Sequence, residues 1–174
     1  ELSSMTLGIV GFGALGKGVA RMAKAFHMEV LVAARPGTDV VPGDRVPLGE
    51  LLERCDVISL HCPLTAGTRE LFSAAEFGAM KKSALLVNTA RGGLVDSQAL
   101  VDALRDGEIA AAVIDVLPEE PPVNGNPLLD YDDSNLMVTP HIAWATLQAR
   151  QNAIDEQTAN IAAFLRGKDR NRVV

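Results

Sequence analysis

Six consecutive residues, Gly11-Phe12-Gly13-Ala14-Leu15-Gly16, join two segments of different periodicity. Before them, Leu7-Gly8-Ile9-Val10 is an apolar run that reads as a buried strand. After them, Ala14–Phe26 carries Leu15, Val19, Met22 and Phe26 at helical spacing. A chain passing from strand to helix through glycines so spaced is confined to one tight unit. Gly11 permits the turn, and Gly16 lets the helix lie close on the strand. Gly13 leaves the backbone approachable by a phosphate, at a helix N-terminus whose N–H groups and dipole favour negative charge. In this strand-to-helix setting the G-x-G-x-x-G spacing marks a dinucleotide loop.

The rest of the chain repeats the alternation. Strands are predicted at Thr6–Val10, Glu29–Ala34, Val57–Leu60, Ala84–Asn88, Ala111–Val116 and Leu136–Thr139. Helices are predicted at Leu48–Arg54, from an N-cap at Ser73 to Met80, from Asp96 or Ser97 to near Asp106-Gly107, and from Thr146 to Arg166. Arg35-Pro36-Gly37 ends the second strand, and Thr38–Leu48, with Pro42 and Pro47, reads as a connector. Leu117–Asn135 reads as a long polar loop, and Gly167–Val174 as a polar tail. Strands alternating with helices predict an α/β fold, a doubly wound parallel sheet with helices on both faces in three αβα layers. An apolar content of 48% with only 4% aromatics suits such a sheet, and 174 residues suit one domain over 1–174.

Composition excludes several functions. Sixteen basic against 22 acidic residues give a net charge of −6, so no nucleic-acid partner is expected. No apolar run is long enough to span a membrane, and Glu1-Leu2-Ser3-Ser4 lacks a basic leader. Cys55 and Cys62 form neither a metal spacing nor a disulfide framework, so reduced, core-packing thiols and a cytoplasmic location are expected, with no metal site.

Ligands of such sheets bind beyond the carboxyl ends of the strands. Those ends carry, in chain order, the glycine loop, Arg35, His61-Cys62-Pro63-Leu64-Thr65, Thr89-Ala90-Arg91-Gly92-Gly93, Asp115 with Glu120 further on, and Pro140-His141. His141 titrates near neutrality and can give or take a proton. A carboxylate from Glu119 or Glu120 can fix an imidazole's tautomer, and composition does not choose between the two. The Arg91 guanidinium is a planar fork suited to a carboxylate. Asp115 ends an apolar strand, where an acid needs hydrogen-bond donors from backbone or an amide-bearing ligand. Trp144 either lines a substrate pocket or packs.

Five ordered motifs then identify a resemblance. Gly11–Gly16, His61-Cys62-Pro63-Leu64-Thr65, Asn88-Thr89-Ala90-Arg91-Gly92, Asp115–Pro121 and Thr139–Ile142 stand as in the D-isomer-specific 2-hydroxyacid dehydrogenases, across essentially the whole chain. The ending His141-Ile142-Ala143-Trp144-Ala145-Thr146, with Ala149-Arg150-Gln151, is most similar to the glycerate dehydrogenase (hydroxypyruvate reductase) branch. The resemblance implies a Rossmann-like domain that passes hydride between NAD(P)H and a small 2-keto or 2-hydroxy acid. It implies that Arg91 binds the substrate carboxylate and carbonyl, that His141 is the general acid and base, and that Glu120, five residues after Asp115, orients it. It further implies Asp115 at the nicotinamide carboxamide, and Ala14 and Leu15 at the pyrophosphate. Cys62 and Pro63 would lie near the adenosine, and Thr89 and Ala90 along the cofactor. A homodimer through this domain is also implied.

Two departures from the family pattern matter. Many NAD-dependent members place an acid after strand two to hold the ribose hydroxyls, whereas this chain has Ala34 and then Arg35. An acid repels a 2′-phosphate and an arginine attracts one, so NADP(H) is expected to be favoured over NAD(H). The resemblance also implies a substrate domain ahead of the glycine loop, which this sequence is expected to lack, with the 167–174 tail returning toward it. A fragment that binds cofactor but turns over substrate poorly is therefore expected. The alternative is a non-catalytic, NAD(H)-sensing protein resembling the family's corepressors.

Overall fold

A computed structural model describes residues 1–35 and 41–173. The chain divides into two compact units, Glu1–Pro140 and His141–Val174.

The first unit is built on a six-stranded sheet: β1 (Thr6–Val10), β2 (Glu29–Val32), β3 (Val57–Leu60), β4 (Leu85–Asn88), β5 (Ala111–Ile114) and β6 (Leu136–Val138). All pairs are parallel, in the order β2-β1-β3-β4-β5-β6. The expected α/β, Rossmann-like sheet is what forms. The chain leaves β1 for β2 on one side and then crosses to β3 on the other. A crevice opens beyond the strand ends where the order reverses in this way.

The β1 alternation explains the layers. Leu7 and Ile9 pack with Ala20 and Ala23 of α1 (Ala14–Ala25) on one face. Val10 joins the larger core on the other face, with Leu51 and Leu52 of α2 (Leu48–Arg54), Phe77 of α3 (Ala74–Ala79) and Leu100 of α4 (Ser97–Arg105). Gly8 is the point where α2 presses on the sheet, since a Cβ there would meet Leu51 Cδ2 at 2.6 Å and Cys55 Sγ at 2.8 Å.

The caps follow from the residues. Ser73 N donates to Glu76 Oε2 at 3.0 Å, a capping-box bond at the start of α3. Asp96, not Ser97, caps α4, accepting from Gln98 N and Ala99 N. Gly107, at φ 68°, follows the end of α4.

Three local expectations are revised. Residues 117–135 are not all loop: Pro127–Asp130 forms a short helix, α5, capped by Asn126 and anchored by buried Leu128. One helical turn is too short to show a period, so pattern alone missed it. Leu15, Met22 and Phe26 are exposed, and α1 buries Gly16, Ala20 and Ala23 instead. The helix that follows a glycine loop lies close to the sheet, and only small side chains fit between. Residues 38–40 of the expected connector, and Pro36 and Gly37 of the expected strand stop, lie outside the described residues, but Val46 bridges Ala33 in parallel and so extends the β2 edge.

The second unit contains one helix, α6 (Leu147–Leu165), capped by the Thr146 hydroxyl accepting from Ala149 N at 3.1 Å. Arg170 returns along the tail to Glu156 at 2.7 Å. Among the described residues no helix is long and apolar enough to cross a membrane.

Candidate functional site

A cleft of about 780 Å³ opens beyond the carboxyl ends of β1, β2 and β3. Gly11, Gly13, Ala34, Arg35, Cys62 and Pro63, six of the expected cofactor residues, line it together. Gly11 has φ 99°, and a Cβ there would lie 2.4 Å from Cys62 N, so glycine is required twice over. Gly16 is equally constrained, with 2.2 Å from its would-be Cβ to Gly11 O. At Gly13 a Cβ would meet nothing within 4 Å, leaving the loop open on that side. Ala14 and Leu15 form the first turn of α1, whose N–H groups lack intrahelical acceptors.

The opposite wall comes from the segment after β3. Thr68 Oγ1 donates to Pro63 O at 2.7 Å and accepts from Thr65 N at 2.8 Å, which locks the turn. His61 Nε2 lies 2.9 Å from Ser59 Oγ, and burial pushes the ring's pKa below its ordinary 6.5. Cys62 is buried, and burial raises its thiol pKa. It is both a core residue and part of the cleft wall.

The dinucleotide fits this cleft: Gly13 leaves backbone open to a phosphate, α1 begins directly after it, and cationic Arg35 and Arg45 line the β2 side. Sequence reasoning missed Arg45 and Phe12. The Arg45 guanidinium sits 4.9 Å from the Phe12 ring centroid. No periodicity signals such a pair, because the Val46–Ala33 bridge creates it.

A second cluster lies at the ends of β4 and β5. Asn88, fully buried, accepts from Ala90 N and donates to the Arg91 carbonyl, both at 3.0 Å. This side chain shapes the Thr89-Ala90-Arg91 turn, and its signal was a polar residue closing an apolar strand. The Arg91 side chain is exposed, with Nη1 donating to Ala90 O at 2.6 Å. Gly92 packs directly on the Leu117–Pro118 peptide. Leu117 N in turn donates to Glu120 Oε1 at 2.8 Å, while Glu119 accepts from Asn124 Nδ2. The two acids are thus distinguished: Glu120 folds back on the turn after β5 and Glu119 points along the loop. Asp115, 3% exposed, accepts from Thr139 Oγ1 at 2.5 Å, so its burial is compensated. Arg91, Asp115 and Glu120 therefore occupy two packed strand ends and do not line the glycine-loop cleft.

In the second unit His141 holds φ 53°, an uncommon backbone for a non-glycine residue. Its carbonyl accepts from Trp144 Nε1 at 2.8 Å. The indole is 58% exposed, so Trp144 does not serve as core packing.

Residues 1–143 match the family described as D-isomer specific 2-hydroxyacid dehydrogenase, NAD binding domain. A glycerate dehydrogenase of Methylorubrum extorquens is 48% identical over 174 residues, covering 99% of this chain and 54% of the relative. A D-isomer specific 2-hydroxyacid dehydrogenase from Lactobacillus delbrueckii ssp. bulgaricus, solved in its NAD complexed form, superposes with a TM-score of 0.87 at 28% identity, covering 100% of this chain and 57% of that one. An acyclic imino acid reductase, solved in complex with NADPH and D-Arg, superposes with a TM-score of 0.83 at 34% identity, covering 98% of this chain and 54% of that one. The chain spans about half the length of the curated relatives it matches. With its glycine-loop cleft and family motifs in order, this chain belongs to the D-isomer specific 2-hydroxyacid dehydrogenase family.

Proposed function

We propose that this chain is the cofactor-binding part of an enzyme that interconverts small 2-keto and D-2-hydroxy acids, hydroxypyruvate or glyoxylate on one side and D-glycerate or glycolate on the other. The observation that carries this is the interlock of the Arg91 turn with the Glu120 loop, on the same sheet edge as the dinucleotide cleft. A purely nucleotide-binding module of another class has no need of that cation and that acid on adjoining turns. The name of the Methylorubrum relative supports the substrate class.

The nicotinamide, when bound, supplies or accepts the hydride. The chain's own groups do the rest. The Arg91 guanidinium binds the substrate carboxylate and polarises the carbonyl. His141 donates the proton to the carbonyl oxygen in reduction and removes it in oxidation. By the family resemblance, Glu120 would be the carboxylate that orients the imidazole, and Asp115 would accept from the carboxamide of the nicotinamide. Ala14, Leu15, Thr89 and Ala90 would hold the cofactor along its length. Trp144 borders the substrate.

The cofactor is NADP(H) in preference to NAD(H). Ala34 replaces the acid that would hold free ribose hydroxyls, and Arg35 lines the cleft beside it. Assembly is a homodimer, in the cytoplasm.

The deciding experiment is His141→Gln in the enzyme that carries this chain. The kcat for hydroxypyruvate falls about a thousandfold, the range of general acid–base catalysis, with the NADPH Kd unchanged. An unchanged kcat, or no 2-keto acid reduction by the parent enzyme, overturns the reading and favours an NAD(H)-sensing interaction protein.

A further inference from the structure

We propose that Arg45 is a second cation of the cleft that reads the 2′-phosphate of an NADP-type dinucleotide, together with Arg35. The inference rests on the NADP reading above and extends it to a residue outside the family motifs.

Arg45 follows Arg35 by ten positions, yet the fold returns it to the end of β2. Val46 N donates to Val32 O at 3.0 Å, and Ala34 N donates to Val46 O at 2.8 Å. These bonds fix the Arg45 backbone beside Ala33 and Ala34. The side chain then spans two segments. Nη1 donates to Ala33 O at 3.3 Å, and the guanidinium carbon lies 4.9 Å from the centroid of the Phe12 ring. Phe12 stands between the first two loop glycines. The end of β2 and the glycine loop are the segments that flank the adenosine ribose in dinucleotide folds. Arg45 thus bridges the position where a 2′-phosphate would rest.

Its remaining donors point to an anion. Arg45 Nε is buried and has no hydrogen-bond partner among the described residues. It is ion-paired with Asp44 Oδ1 at 3.6 Å, and that carboxylate is 75% exposed to solvent. A pair with so exposed a carboxylate is weak, so the guanidinium, which lines the cleft, keeps most of its charge for an anion there. The Phe12 face holds the guanidinium plane, and a planar fork suits a phosphate better than a point charge does.

Titration calorimetry with NADPH, NADH, adenosine 2′,5′-bisphosphate and AMP tests this on the chain and three variants. Arg45→Met weakens NADPH and the bisphosphate about tenfold, the size of one partly exposed charge-assisted hydrogen bond, and leaves NADH and AMP within about twofold. Arg35→Met keeps a preference for NADPH of at least about threefold, and the double variant loses it. Equal weakening of all four ligands by Arg45→Met makes Arg45 a prop for Phe12 and overturns the proposal. Complete loss of the preference in Arg35→Met alone also overturns it, and that arm decides even if Arg45→Met does not fold. If Arg35→Met lowers the preference and Arg45→Met does not, the proposal falls while the NADP reading stands. Tighter binding of NADH than NADPH by the parent chain defeats the NADP reading itself, and the proposal with it.

Discussion

Gly92 lies so close to Leu117 that a Cβ on Gly92 would stand 2.0 Å from the Leu117 carbonyl carbon and 2.3 Å from its oxygen. Two strand ends are locked at that point. The turn presenting Arg91 cannot shift without moving Leu117, whose N–H donates to Glu120.

Gly92→Ala tests the lock. Both obstructing atoms are backbone, so neither can rotate away. Stability falls by about 3 kcal/mol, at the upper end of ordinary overpacking, as measured by urea unfolding. Loss below about 1 kcal/mol would show that the two loops slide freely.

Asn88→Ala tests the turn itself. Asn88 is 0% exposed and satisfies Ala90 N–H and the Arg91 carbonyl together. Removing it leaves both groups seeking partners, at a cost of about 2 kcal/mol. In the complete enzyme the KM for the keto acid rises as the Arg91 turn loosens. Unfolding curves and steady-state kinetics on the same variant separate the two effects.

The cysteines are predicted to be inert. Burial pushes the Cys55 thiol up to about 12 and raises that of Cys62 as well. The thiolate is the reactive species, so neither side chain reacts with a disulfide reagent at pH 8 in the native state. Both react after denaturation. One rapidly reacting native thiol would contradict the packing around the cleft wall.

Stability is predicted to fall with acid through two groups. Burial depresses His61 below its ordinary 6.5, so the unfolded chain binds its proton first. Its contribution is full above about 6.5 and declines as pH drops toward the folded value. His61→Gln removes that slope. At lower pH, Lys81 Nζ at 2.8 Å and Thr6 N at 2.8 Å hold the Asp56 carboxyl below its ordinary 3.8. That contribution is present above 3.8 and is lost as pH falls through the folded value. Lys81→Met weakens it, which thermal unfolding between pH 3 and 5 measures.

Much of the architecture was legible in local pattern. The apolar runs Thr6–Val10 and Val57–Leu60 and the helix Leu48–Arg54 form with the boundaries their sequences suggest. Fully buried parallel strands have to be continuous apolar runs, and turn chemistry separates them sharply. The glycine loop was legible for the same reason, since a positive φ at Gly11 and close packing at Gly11 and Gly16 leave few other residues possible. Strand ends were legible as a set of ligand-facing residues because parallel topology sends every carboxyl end to one edge.

Long-range contacts were not legible. Exposure of Leu15, Met22 and Phe26 reverses what helical spacing alone suggests, because proximity of α1 to the sheet admits only Gly16, Ala20 and Ala23. Composition did not choose between Glu119 and Glu120, motif spacing implied Glu120, and their different hydrogen-bond partners, Leu117 N for Glu120 and Asn124 Nδ2 for Glu119, appear only in the fold. Arg45 carried no signal, since its meeting with Phe12 depends on a bridge between Val46 and Ala33. Residue type and spacing determined the strand-loop-helix order and the chemistry available at each strand end. Tertiary structure decided which of those groups share a wall, because contacts between residues distant in sequence arise only when the sheet assembles.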